Sequence, residues 1–281
     1  MKQLLFVDTN IWLDFYRVRT EAGVALLDHL DGIQDALIVT YQVEMEYKKN
    51  RQAAILEGFK ALKGPEAILR PGLFSAAKSA LALQRDIRNA EKRVNQLKDR
   101  LRRALDKPSV HDPVYKVFQR CYHKQDDLAL TRDSEEKLQL RRKAFRRFLF
   151  GYPPRKQSDT SIGDAINWEW LVRCAIKHGA EIHIASRDSD FGVTFEGRSY
   201  FNDHLLQEFR ERVSKKRGVF LHSRLSEALK KFSVKVTPEE ETEEEAIISE
   251  AKTPMARVST LGDIEKLFKL LGIPEEKYKE T

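Results

Sequence analysis

The stretch Leu4-Leu5-Phe6-Val7-Asp8-Thr9-Asn10-Ile11-Trp12 decides the fold. Four apolar residues in succession read as a strand buried on both faces, hence central and parallel. Asp-Thr-Asn ends the run, and a helical pattern begins at once. Asp8 therefore stands at the carboxyl end of a strand, on the rim where open α/β sheets place their sites. Two readings compete there. One is a helix cap, for which Asp, Thr and Asn are all suited. The other is a metal ligand.

Working outward, Ala36-Leu37-Ile38-Val39 is a second short apolar run. Thr40 follows it, then a helix through Val43, Glu46 and Tyr47. This β-α-β-α opening implies a parallel sheet with right-handed crossovers. Far downstream, Gly163-Asp164-Ala165-Ile166 opens a helix, and Glu181-Ile182-His183-Ile184-Ala185 is a third strand. That strand ends in Ser186-Arg187-Asp188-Ser189-Asp190-Phe191, again acidic at its carboxyl end. Short strands at 199–201 and 219–221 and a helix over 223–232 close the α/β domain near residue 233.

The interval between these halves differs in composition. Residues 51–156 hold 26 Lys and Arg against 12 Asp and Glu, a net of +14. The whole chain of 281 residues carries +7, so everything outside this segment sums to −7. Within it, Ala76, Ala80, Leu83, Ile87, Ala90, Val94, Leu97, Leu101 and Ala104 recur at alternating spacings of four and three. That is a coiled-coil seam. The expectation is an antiparallel helical arm, or a seam pairing two chains, with a surface that is either solvated or a grip on nucleic acid. Residues 237–250 include Glu239, Glu240, Glu241, Glu243, Glu244 and Glu245, which reads as an acidic, solvated linker. Leu261, Ile264, Leu267, Phe268 and Leu271 then mark one short amphipathic helix, suited to docking on the body or on a partner.

The N-terminus has no leader pattern, and no apolar run approaches the ~20 residues of a membrane span. The two cysteines, Cys121 and Cys174, read as small buried apolar residues of a reducing compartment. A cytoplasmic protein is expected. The histidines at 178, 183, 204 and 222 look scattered, with core or surface roles.

The chemistry is narrowed first by exclusion. There is no Gly-rich phosphate loop, dinucleotide fingerprint, nucleophile elbow or Cys/His zinc set. Asn10 stands where an Asp-x-Asp phosphohydrolase has its second acid. What remains is a set of carboxylates at corresponding places: Asp8 after strand one, Glu46 in the helix after strand two, Asp164 opening a helix, Asp188 and Asp190 after strand three. In a parallel sheet of neighbouring strands these converge on one rim. Gathered carboxylates repel and stay ionised together only around a cation. Oxygen ligands without Cys or His point to Mg²⁺ or Mn²⁺. In-line phosphodiester hydrolysis is the chemistry such a site performs.

Phe6-Val7-Asp8-Thr9-Asn10, Val43-x-x-Glu46, Gly163-Asp164-Ala165 and Ser186-Arg187-Asp188-Ser189-Asp190-Phe191, in that order, resemble the PIN-like-domain nucleases, in the branch with a long helical insertion. The resemblance covers residues 2–50 and 158–232. It implies a three-layer α/β/α sandwich on a central parallel sheet. The nuclease domain would then be 1–50 plus 151–233, the basic arm 51–150, the acidic linker 234–258 and a C-terminal helix 259–281. It also implies that Asp8, Glu46, Asp164 and Asp188 are the catalytic metal ligands, with Asp190 as an auxiliary ligand. Asn10 would orient Asp8 or a water, Ser186 hold a water or phosphate oxygen, and Arg187 touch phosphate or form a salt bridge. Glu44 competes with Glu46, because two residues apart on a helix only one can enter the pocket. Glu169, five residues beyond Asp164, is a further candidate. The implied activity is a divalent-metal-dependent endonuclease leaving 5′-phosphate and 3′-hydroxyl ends, with RNA favoured as partner. A DNA nuclease of the same mechanism and a non-catalytic binding module, self-associating through the arm or terminal helix, are the alternatives.

Overall fold

A computed structural model describes residues 2–65, 73, 76–124, 126–154 and 161–252. The expected helix at 259–281 lies outside the described residues. The central sheet has five strands: β1 (Gln3–Val7), β2 (Leu37–Thr40), β3 (Ala129–Leu130), β4 (Glu181–Ala185) and, at the far edge, Val219–His222. Numbering in chain order makes β5 (Gly192–Phe195) and β6 (Arg198–Phe201) a separate antiparallel hairpin and the edge strand β7. The order is β3-β2-β1-β4-β7 and every pairing in the main sheet is parallel.

The helices are α1 (Thr9–Asp14), α2 (Glu21–Gly32), α3 (Tyr41–Ala61), α4 (Lys78–Asp106), α5 (Pro108–His111), α6 (Pro113–Tyr122), α7 (Lys137–Phe150), α8 (Gly163–His178), α9 (Asp203–Arg212), α10 (Leu225–Lys231) and α11 (Pro238–Lys252). Leu4, Leu5, Phe6 and Val7 are all buried, so helices cover both faces of β1 as its unbroken apolar run requires. The α/β sandwich with a parallel central sheet is as the sequence implied.

The structure adds two pairings to the sequence reading. The short strand at 199–201 is formed and pairs with β5 outside the main sheet, while Ala129 and Leu130 fill the edge beside Val39 and Thr40. Two residues are too few to carry a period, and β3 is held by tertiary contacts. Leu128 O accepts from Val39 N–H at 3.1 Å and from the Trp170 indole at 3.1 Å.

The basic insertion is likewise only partly an appendage. Val114, Val117, Phe118, Cys121 and Tyr122 of α6 are buried in the main core. Phe118 stacks between Tyr47 and Tyr122 at 3.9 Å from each, with Trp12 edge-on at 5.1 Å. The long helix α4 forms where expected, with only Ala104 buried and Leu81 and Leu97 exposed. Its antiparallel neighbour is the second half of α3. Arg51 donates to Ala104 O at 2.5 Å, and Lys98 and Arg102 lie over the Phe59 ring. Arg51 is itself buried against Asp112, which also accepts from Tyr16 and caps α6 through the Tyr115 N–H.

The glutamate run is not a linker. It forms α11, with Glu240 and Glu244 buried. Glu243 accepts from the Arg19 and Thr20 amides, Glu244 from the Leu225 and Ser226 amides at 2.5 and 3.0 Å, and Glu240 contacts His29. Carboxylates that find backbone N–H donors and cations are buried at little cost, which a charge count along the chain does not reveal.

Candidate active site

The sheet order reverses direction at β1: the chain builds outward to β2 and β3 on one side, then to β4 and β7 on the other. The crevice at such a switch point opens at the carboxyl ends of the strands. Asp8 follows β1 there and Ser186 follows β4. Their backbones are tied by the Asp8 N–H to Ala185 O at 3.0 Å, and Ser186 Oγ donates to Asp8 Oδ2 at 2.6 Å.

Asp8 is 3% exposed and fully engaged. Its Oδ1 accepts from the Thr9 N–H at 2.7 Å and Oδ2 from Asn10 Nδ2 at 2.9 Å. It is the N-cap of α1. Burial, reinforced by the charges of Asp188 and Glu46, pushes its carboxyl up to about 6, although the bonds from Ser186 and Thr9 pull the other way. Asn10 and Ser186 thus hold Asp8 as expected, and Ser186 Oγ also accepts from the Asp188 N–H at 3.1 Å. Asp188 is in this way fixed beside Asp8.

Glu46 reaches the same place from α3. Thr40 caps that helix through the Val43 N–H at 3.2 Å and so sets its direction. Glu46 Oε2 accepts from Thr9 Oγ1 at 3.1 Å and Oε1 from Gln42 Nε2 at 2.7 Å. Glu44 turns elsewhere, to Lys48 Nζ at 2.6 Å and to His123. Asp164 lies in the first turn of α8, and the start of that helix is close to Glu46: a Cβ on Gly163 would stand 2.9 Å from Glu46 Oε1 and 2.5 Å from Gln42 Nε2. Asp190 is buried at the foot of β5.

Arg187 pairs with Asp14 and approaches Asn10 O at 3.4 Å. Burial holds its guanidinium below the ordinary value. The salt bridge expected of Arg187 is thus formed, with Asp14 as its partner. Asp14 was missed because its carboxylate gains meaning only when α1 and the 186–190 loop meet. Glu169 is not part of this site: it is buried against Arg147 at 3.0 Å and Arg212 at 2.7 Å. The histidines are not all isolated either. His183 Nδ1 and His222 Nε2 of adjacent strands lie 2.9 Å apart, and burial drops both rings to about 4.

Asp8, Glu46 and Asp188 offer oxygen ligands of the kind a hard divalent cation takes, and burial, reinforced by the charges of Asp188 and Glu46, raises Asp8. Among the described residues no three carboxylates, histidines or cysteines are drawn tightly enough to enclose an ion. The Asp8 and Glu46 oxygens are instead held by Thr9, Asn10, Gln42 and Ser186.

The fold and the crevice define a doubly wound α/β protein with an acidic site at its switch point. A PIN domain family model matches residues 5–191, and the chain belongs to the PIN domain family. PIN domains are in general metal-dependent nucleases acting on nucleic acids, typically with Mg²⁺ or Mn²⁺. No curated protein and no solved structure matches the chain. Among the described residues no helix is long and apolar enough to cross a membrane.

Proposed function

We propose that this protein is an endoribonuclease that hydrolyses phosphodiester bonds with Mg²⁺ or Mn²⁺ held by Asp8, Glu46, Asp164 and Asp188, and with Asp190 in support. The reading is carried by hydrogen bonds that tie three acids to one strand-end crevice: Ser186 Oγ bonds both Asp8 and the Asp188 N–H, and Thr9 bonds both Asp8 and Glu46. A bound divalent cation supplies a water of lowered pKa and neutralises charge on the reacting phosphate. The chain's own groups set the geometry. Asn10 and Ser186 fix Asp8, Thr9 and Gln42 fix Glu46, and the start of α8 brings Asp164 alongside. Water oxygen bonds to phosphorus as the P–O3′ bond breaks, leaving 5′-phosphate and 3′-hydroxyl ends. The basic segment 51–156 would hold the phosphate backbone.

Digestion of single-stranded RNA, structured RNA and DNA side by side, with Mg²⁺, Mn²⁺ or EDTA, tests the proposal. Cleavage of RNA that needs metal and disappears in Asp8→Asn and Asp164→Asn is expected. Phosphate contacts do not read the 2′-hydroxyl, so faster DNA cleavage would reassign the substrate. Binding without any cleavage would leave a non-catalytic module.

A further inference from the structure

The hairpin β5–β6 begins two residues after Asp190. Its strands pair Val193 with Tyr200 and Phe195 with Arg198. Side chains alternate along a strand, so these four share one face. Thr194, Ser199 and Phe201 take the other. That second face is turned to the body: Ser199 Oγ accepts from the Ser223 N–H at 3.2 Å, and Phe201 packs on Trp168. The first face is left to solvent, with Val193 60%, Phe195 63% and Tyr200 49% exposed and Arg198 also exposed.

The ribbon is built rather than frayed. Glu196 and Gly197 both have positive φ, 48° and 76°, the signature of a tight two-residue hairpin turn. At its foot Gly192 lets the strands close, since a Cβ there would meet Tyr200 O at 2.1 Å. Asn202 N–H donates to Phe191 O at 2.8 Å and joins the two legs. Phe191 is fully buried, edge-on to Phe6 two residues before Asp8. The hairpin is thereby anchored in the same core that carries the acidic crevice.

We infer that this exposed face of Val193, Phe195, Arg198 and Tyr200 is a stacking platform for single-stranded nucleic acid beside the cleavage site. The inference rests on the nuclease reading for its substrate. Diagonal cross-strand neighbours such as Phe195 and Tyr200 stand about 7–8 Å apart. That spacing lets both rings meet bases of one strand, since every base presents a stacking face. Arg198 adds a cation next to them for the backbone phosphate or a base face. Four strand residues at about 3.4 Å each place the tip some 14 Å from the foot, within a few nucleotides of the acids. In a duplex the base faces are already stacked on one another and are not open to exposed rings. The platform therefore favours single strands, and ring stacking is tolerant of sequence.

The test uses the full chain carrying Asp8→Asn, so that the probe stays intact, with Mg²⁺ present. Fluorescence anisotropy is recorded with labelled single-stranded RNA, single-stranded DNA and duplex RNA. Adding Phe195→Ser and Tyr200→Ser is expected to weaken single-strand binding roughly 10- to 100-fold and to leave duplex binding nearly unchanged. Phe195→Trp is expected to retain affinity. In the otherwise native enzyme the Ser pair raises KM and spares kcat. Because all the altered side chains are exposed, circular dichroism of the variants should match the parent. Unchanged single-strand affinity, or equal loss for duplex, overturns the assignment. So does a parent dimer in sedimentation that the Ser pair dissociates while strand binding persists. The two proposals fail separately. A parent that binds single strands through these rings but cleaves nothing refutes the nuclease alone, and a parent that cleaves while the Ser pair binds normally refutes the platform alone.

Discussion

Replacing Asp8 by Asn should make the metal-free protein more stable at pH 8 while abolishing its proposed activity. The Asp8 carboxyl is raised from 3.8 to about 6 by burial and by its acidic neighbours. A raised carboxyl contributes stability that is complete below the unfolded value and is lost as pH rises through the folded value. Two units at about 1.4 kcal/mol each give a cost of about 3 kcal/mol in the parent at pH 8, and about 1 kcal/mol at pH 4.5. Asparagine avoids that cost. It also introduces a mismatch, because its amide NH₂ must replace one of two oxygens that both accept: Oδ1 from the Thr9 N–H, or Oδ2 from Asn10 and Ser186. One frustrated hydrogen bond removes about 1 kcal/mol. The net advantage of the variant is then close to nil at pH 4.5 and about 2 kcal/mol at pH 8, a rise in Tm of roughly 4–8 °C. Urea unfolding of both proteins in EDTA at pH 4.5, 6 and 8 measures this directly. Added Mg²⁺ should then stabilise the parent more than the variant. A variant less stable than the parent at pH 8, or a difference that does not grow with pH, refutes the electrostatic account of the site.

Other consequences lie outside the crevice. His183 and His222 are held down to about 4. Depressed histidines give full stability above the unfolded value near 6.5 and lose it as pH falls towards 4, by about 3 kcal/mol per ring; the urea midpoint of the parent should drop over that window, and His222→Gln should flatten the slope. Arg147 is buried between Glu169 and Glu208. Arg147→Met leaves their charge partly unbalanced and should cost about 3 kcal/mol or more in urea unfolding, with part recovered by adding Glu208→Gln. Glu244→Ala removes the acceptor for the first amides of α10 and should lower stability by about 1–2 kcal/mol in thermal melts, whereas Glu239→Ala, on the exposed side of α11, should change little.

The boundary between what is legible in the chain and what is not follows range of interaction. The unbroken apolar runs at residues 4–7 and 37–39 and the largely apolar one at 182–185, alternating with helical patterns, pointed to a parallel sheet buried on both faces. Placing Asp8 and Asp188 after strands, Glu46 in the helix after strand two and Asp164 at a helix start was likewise a local inference, and their expected convergence on one rim rested on parallel topology. The cap and ligand readings of Asp8 proved compatible, since the carboxylate that caps α1 is also the one crowded by Asp188 and Glu46.

Other features depended on partners distant in sequence. The Val43-x-x-Glu46 spacing favoured Glu46 over Glu44, but the partner that holds Glu46, Thr9, is distant in sequence, while Glu44 turns to Lys48 and His123. The two-residue strand β3 is too short for a pattern and exists because Val39 and Trp170 meet Leu128 O. The glutamates of α11 looked solvated because their donors, the amides of Arg19, Thr20, Leu225 and Ser226, lie up to 224 residues away. The sequence by itself determined the parallel strands β1, β2, β4 and β7 and the acidic residues at the carboxyl ends of β1 and β4, because hydrophobic patterning and strand-end position are local. Only the tertiary structure decided which charges are buried in pairs and which aromatic face of the β5–β6 hairpin stays open, because desolvation and pairing depend on what folds against each group.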